Sequence, residues 1–146
     1  MATEQNNHQL ATDLRLVITR LIKKLRVKSE TGAMLSLTER STLALLDQHK
    51  SLLPNELASM EKITTQSMSQ ILNKLLDAGF ITRKISADDK RKSIISLTRS
   101  GQNTLYKVRN ERDEWLNKAL EEVCTDKEKN MLRNAIGPLT KLVDYE

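Results

Sequence analysis

ITTQSMSQILNKLLDAGFITRKISADDKRKSIISLTRSG, residues 63–101, changes its period partway along. From Thr64 to about Ala78 the apolar residues Met68, Ile71, Leu72 and Leu75 recur three and four apart, which puts them on one face of an α-helix. Thr64 suits the N-cap, and Gly79 suits the C′ position where the chain leaves a helix with positive φ. Beyond it, Phe80–Ile85 and Ser93–Thr98 are rich in β-branched residues and alternate in character. Only polar residues and one alanine, Ser86–Lys92, lie between them, so the spacing predicts a β-hairpin with a long basic tip.

Upstream, Pro54 fits the first turn of a short helix reaching about Glu61, because its missing N–H would be unpaired there in any case. Leu57 and Ala58 anchor that helix, and Lys62-Ile63 is the tight turn into the next one. Such turns need a residue with positive φ, where a lysine costs more than a glycine. Helix, tight turn, helix and hairpin in succession make a winged-helix layout. Around it lie long helices. Leu10, Leu14, Val17, Leu21 and Leu25, widened by Ile18 and Ile22, form an amphipathic stripe that ends before Thr31-Gly32. Ser36-Leu37-Thr38-Glu39 reads as a capping box opening a helix with Leu43 and Leu46 inward. After Thr98 a stripe runs through Leu105, Val108, Arg112, Trp115, Ala119 and Val123. Thr125 with Glu128 caps a last helix carrying Met131, Leu132, Ile136, Leu139 and Val143, which Gly137-Pro138 should kink or break. The expected fold is mainly α with a small β-hairpin wing. The expected units are 1–35, an N-terminal dimerisation helix; 36–100, the winged helix-turn-helix; and 101–146, C-terminal dimerisation helices.

At 146 residues, with 38% hydrophobic and 29% charged, the chain can bury one core and is wet outside. No apolar run approaches the roughly 18–20 residues of a membrane-spanning helix. Met1–Gln9 has neither a basic start nor an apolar core, so no signal peptide is expected and the protein is placed in the cytoplasm. One cysteine excludes a disulfide framework. A net charge of +5 is a mild excess, but its distribution is uneven. Arg83–Arg99 and Leu10–Glu30 each carry a local +4, whereas Asn103–Glu146 carries −1.

The face of the 64–78 helix opposite its apolar stripe reads Thr65, Gln66, Ser69, Gln70, Asn73. Hydroxyls and amides both donate and accept, which suits base edges in a major groove. A merely solvated face would ordinarily carry Glu and Lys pairs, and this one carries only Lys74. The start of the helix also favours a phosphate through its free N–H groups. At the hairpin tip, Arg91 suits a minor groove, with Lys90 and Lys92 beside it and Asp88 and Asp89 able to hold the turn or direct Arg91.

Asp89-Lys90-Arg91, followed by Ser93-Ile94-Ile95-Ser96 and Leu97-Thr98-Arg99-Ser100-Gly101, resembles the D-x-R…L-T-x-x-G signature of the MarR family of bacterial transcription regulators. Glu56-Leu57-Ala58, Thr65-Gln66-Ser67-Met68, Leu75 and Gly79-Phe80-Ile81-Thr82-Arg83 fall where that family keeps its helix-turn-helix. Departures fall at Glu61 and Lys62, where the family often has an apolar residue and glycine. The resemblance covers essentially the whole chain. It implies a homodimer, with interlocking first and last two helices, that presents two winged helices to a pseudo-palindromic DNA operator. Carried over, Thr65, Gln66, Ser67, Ser69 and Gln70 would read the major groove, and Thr64, Asn73 and Lys74 complete the expected DNA-binding set on this helix. Arg91 would enter the minor groove with Lys90 and Lys92 on phosphates. The apolar stripes are themselves too long for one small core, and Leu10, Leu14, Val17, Val123, Met131, Ile136 and Leu139 are the expected dimer contacts. The resemblance also implies a small apolar or phenolic effector, held where the first, second and fifth predicted helices meet, that releases the operator.

No P-loop, G-x-S-x-G or nucleophile–base pair is visible, so an enzyme is not expected. His8, His49 and Cys124 have no metal-site spacing, and no cofactor is expected. Cys124 reads as a bystander, and Tyr106 and Trp115 as core or dimer-contact aromatics. The expected function is a sequence-specific, operator-binding regulator, a repressor. The alternative is a helical protein-interaction module with a basic hairpin and no specific DNA target.

Overall fold

The computed structural model describes residues 2–146, with the side chains of residues 2, 3 and 5 outside the description. Met1, at the head of the expected 1–35 unit and of the polar Met1–Gln9 segment, lies outside the described residues. The element order is α1 (Ala2–Val27), α2 (Glu30–Ala33), α3 (Leu37–His49), β1 (Ser51–Leu52), α4 (Pro54–Glu61), α5 (Thr65–Asp77), β2 (Ile81–Ile85), β3 (Ser93–Leu97), α6 (Arg99–Val123) and α7 (Asp126–Val143). No described helix is long and apolar enough to cross a membrane.

The fold is mainly helical with a small antiparallel sheet in the order β1-β3-β2. β2 and β3 form the expected wing, in a register that pairs Ile81 with Leu97 and Ile85 with Ser93. β1 was not foreseen. It is two residues long, too short to show a period, and pairs Ser51 with Ser96 and Leu52 with Ile95. Lys50 turns the chain from α3 into this strand with φ 68. α2 was also not foreseen. The first stripe stops at Val27 because Ser29 takes extended backbone and caps α2, its hydroxyl accepting from the Gly32 N–H at 2.9 Å.

The capping boxes at Ser36 and Thr125 form as expected, each with its glutamate three residues on. The expected break at Gly137-Pro138 does not occur, and α7 remains helical across it. Pro138 removes the bond to the Asn134 carbonyl, but Asn134 is exposed, so water can satisfy that group and the helix loses one rung rather than its course.

The core lies inside the winged unit. Leu43 and Leu46 of α3, Leu57 of α4, Met68, Leu72 and Leu75 of α5 and Ile95 of β3 are fully buried, with Leu105 of α6 closing one side. Truncating any of these leucines to alanine would cost about 2–5 kcal/mol. The apolar stripe read on α5 is therefore the face that seats it on the core, and its opposite face is left to solvent.

Candidate nucleic-acid interface

Two helix ends fix the direction of α5. At its start, Lys62 adopts φ 54 and ψ 43, the left-handed conformation the tight turn requires. The Ile63 N–H donates to the Ala58 carbonyl at 3.0 Å and the Lys62 N–H to that of Ser59 at 3.2 Å, closing α4 with paired reverse bonds. Glu61 accepts a hydrogen bond from the Ser41 hydroxyl, which ties the end of α4 to α3. Thr64 then caps α5, accepting from the Ser67 N–H at 3.1 Å and donating to the Ser67 hydroxyl at 2.9 Å. At its other end Gly79 has φ 77, and the Phe80 N–H reaches back to the Leu75 carbonyl at 3.0 Å.

The wing is fastened to that second end. The Thr98 hydroxyl donates to the Gly79 carbonyl at 2.6 Å and accepts from the Gly101 N–H at 3.0 Å, so one side chain both caps α6 and holds the α5–β2 turn. The Thr98 N–H donates to the Phe80 carbonyl at 3.0 Å. Gly101 leaves room for this closure, because a Cβ there would lie 2.0 Å from the Phe80 carbonyl oxygen. The L-T-x-x-G motif thus acts as a clasp that sets the hairpin beside the helix.

The tip is built by Asp89. Its Oδ1 accepts from the Arg91 backbone N–H at 3.0 Å and from Arg91 Nε at 3.3 Å. Ser86 Oγ accepts from the N–H groups of Asp88 and Asp89 at 3.3 and 3.4 Å. The aspartates hold the turn, and Asp89 directs Arg91, whose side chain is 91% exposed. Its terminal guanidinium nitrogens have no protein partner among the described residues.

Thr64, Thr65, Gln66, Ser67, Ser69, Gln70, Asn73, Lys74, Lys90, Arg91 and Lys92 are all exposed, and β2 packs directly on α5. They differ in what they leave free. The hydroxyls of Thr64 and Ser67 serve the cap, and that of Ser69 donates to the Thr65 carbonyl at 3.0 Å. Lys74 Nζ lies 4.0 Å from Glu39 Oε1, so it leans toward α3. Gln66, Gln70 and Asn73 have no side-chain hydrogen bond among the described residues. Sequence reasoning left out Arg83 and Lys84, exposed on β2, whose signal was the local basic run. It also left Thr98 and Gly101 out of the site, although their motif was legible.

Of the expected dimer contacts, Leu10, Val17, Val123, Met131 and Ile136 are exposed, and Leu14 and Leu139 are half-buried. Trp115 is half-buried beneath two lysines, with Lys24 and Lys28 Nζ at 5.8 and 6.0 Å from its ring centre. Tyr106 is exposed, and its hydroxyl donates to Asp47 at 3.0 Å.

A solvent-facing polar helix, entered by a tight turn and clasped to a basic-tipped hairpin, defines a winged helix-turn-helix protein. The MarR family model matches residues 35–93, and an uncharacterised HTH-type transcriptional regulator of Mycobacterium leprae is 32% identical over 136 residues, spanning 93% of this chain and 94% of that protein. The chain belongs to the MarR family, whose members are DNA-binding transcriptional regulators rather than enzymes. Among solved structures, a proposed transcriptional regulator of Pseudomonas aeruginosa superposes with a TM-score of 0.85 at 29% identity, over 96% of this chain and 98% of that one. A mutant of the S. aureus protein MepR, bound to an oligodeoxyribonucleotide, shares the fold with a TM-score of 0.71 at 23% identity, over 91% and 97% of the two chains.

Proposed function

We propose that this regulator acts as a homodimeric repressor that sets α5 of each subunit into successive major grooves of a pseudo-palindromic operator. The observation that carries this reading is the exposed amide and hydroxyl face of α5, clasped by Thr98 beside a tip that projects Arg91. Thr65, Gln66, Ser69 and Gln70 face base edges, the α5 start faces a phosphate, and Arg91 enters the flanking minor groove with Lys90 and Lys92 on its backbone. Two-fold pairing through residues 1–35 and 101–146 would place the half-sites about 34–36 Å apart. That MepR was captured on an oligodeoxyribonucleotide supports the same use of the shared fold.

Release by a small apolar or phenolic molecule belongs to the same proposal. A cavity of about 360 Å³ lies between α2, α3, α5 and α6, with Met34, Leu35, Leu75 and Phe80 on its walls and Glu39 and Lys74 at its polar side. A ligand there would touch the base of α5. It shifts the operator equilibrium only if it prefers the released arrangement of the two reading helices.

Titrating palindromic against random duplexes at several salt concentrations tests the proposal. With several phosphate contacts per subunit, log K falls with log salt at about −0.9 per contact. Arg91→Ala weakens binding by about 1–3 kcal/mol and leaves the dimer intact by light scattering. A flat salt slope with no preference for the palindrome would instead favour a protein-interaction module.

A further inference from the structure

We propose that the base pairs beneath α5 in each half-site are A·T pairs, read from the major groove by Gln66, Gln70 and Asn73. This rests on the assignment of α5 to that groove. The three amides lie four and three residues apart, a single stripe about 10 Å long, or about three base-pair rises. All three are exposed and have no side-chain bond to the protein among the described residues. An amide is the side chain that fits adenine in two places at once, its N–H donating to N7 while its oxygen accepts from N6–H.

The groups that read G·C best are absent from the face or drawn aside. Guanine is read best by a cation on O6 and N7, and cytosine by a carboxylate accepting from N4. The only cation on α5, Lys74, lies toward its far end and is drawn to Glu39 at 4.0 Å. The only carboxylate is Asp77, in the last turn. The hydroxyls of Thr64 and Ser69 spend their protons within the helix and its cap and cannot donate to guanine O6 or N7, while the Ser67 hydroxyl accepts from Thr64 and keeps its own proton at the start of the helix. Thr65 is exposed with its methyl available to a thymine methyl. The free chemistry of the face is therefore biased to adenine and thymine.

Base analogues separate this reading from its competitors. Duplexes selected by the full-length protein from a random library are aligned, and each half-site position is replaced in turn. Inosine·cytosine presents the major groove of G·C with the minor groove of A·T, and diaminopurine·thymine does the reverse. The expected consensus has A·T pairs under α5, where inosine·cytosine weakens binding about 10- to 100-fold and diaminopurine·thymine leaves it within about twofold. In Gln66→Ala one of those positions becomes indifferent to the swap, while the salt slope and random-duplex affinity stay unchanged. A G·C consensus under α5 overturns the inference, as do A·T positions sensitive only to diaminopurine, which would report groove width instead. Salt-dependent binding with no sequence preference also overturns it and leaves DNA binding standing. Failure to bind any duplex overturns the proposed function as well.

Discussion

At the scale of single residues, two backbone positions decide whether α5 and the wing stand where they do. Lys62 holds a left-handed conformation that costs an L-residue with a Cβ about 1–2 kcal/mol. Glycine would remove that cost but give back part of it as entropy of the unfolded chain, so Lys62→Gly should stabilise the protein by about 0.5–1 kcal/mol. A thermal scan should show a rise in Tm of about 2–3 °C, and no rise would mean the lysine is not strained. Gly101 is the opposite case. Its missing Cβ would lie 2.0 Å from a main-chain oxygen that cannot rotate away, so Gly101→Ala must push β2 from α6. A loss of about 2–3 kcal/mol is expected by denaturant titration. DNA affinity should fall more than that of a core variant of equal stability, because the clasp itself is displaced. Both positions were legible in sequence as turn and motif. What sequence could not give was the neighbour each one meets, since Phe80 reaches Gly101 only through the β2–β3 hairpin.

At the scale of elements, the long periodic helices and the hairpin were readable because each repeats its pattern several times. α2 and β1 were not, being four and two residues long. Both are held by partners distant in sequence: β1 by β3, and α2 by a carboxylate on α6. Glu111 accepts from the Ser29 hydroxyl at 2.7 Å and the Thr31 hydroxyl at 2.9 Å, joining the α1–α2 bend to α6. Those two hydrogen bonds, first Ser29 and then Thr31, hold the Glu111 carboxyl below the usual carboxylate range. A carboxylate with a lowered folded-state pKa adds stability above its unfolded pKa of about 4.3, and that contribution is lost as pH falls through the folded value. The protein should therefore lose stability on acidification below about pH 4–5, part of it through this contact. Glu111→Gln should flatten that part of the acid limb of a Tm–pH profile and leave the neutral plateau lower. Glu128, lowered by the N–H and hydroxyl of Thr125, adds to the same limb and remains in the variant. An unchanged acid limb would show that the bend is held by something other than Glu111.

At the scale of the whole molecule, the winged unit closes its core and the flanking helices do not. α7 has no buried residue, yet exposes Met131, Leu132, Ile136, Leu142 and Val143. α1 exposes Leu10, Leu16, Val17, Ile18, Leu21 and Ile22 along most of its length. An 18-residue helix that fully buries no residue and carries an internal proline would be marginal in water by itself. In the proposed homodimer a second copy would supply the missing surface, and the pairing would set the distance between the two α5 helices, which no property of one subunit can fix. Folding and association are linked in such an arrangement, so Tm should rise with protein concentration. Ile136→Asp would place a charge in the paired surface, where desolvation without a partner is costly. Sedimentation should find the variant monomeric at concentrations where the parent is dimeric, with a lower Tm that no longer depends on concentration. Its binding to a palindrome should drop to that of a single half-site, since the gain from tethering two sites is lost. If Ile136→Asp stayed dimeric and bound the palindrome as the parent does, the α7 stripe would not be the surface that spaces the reading helices.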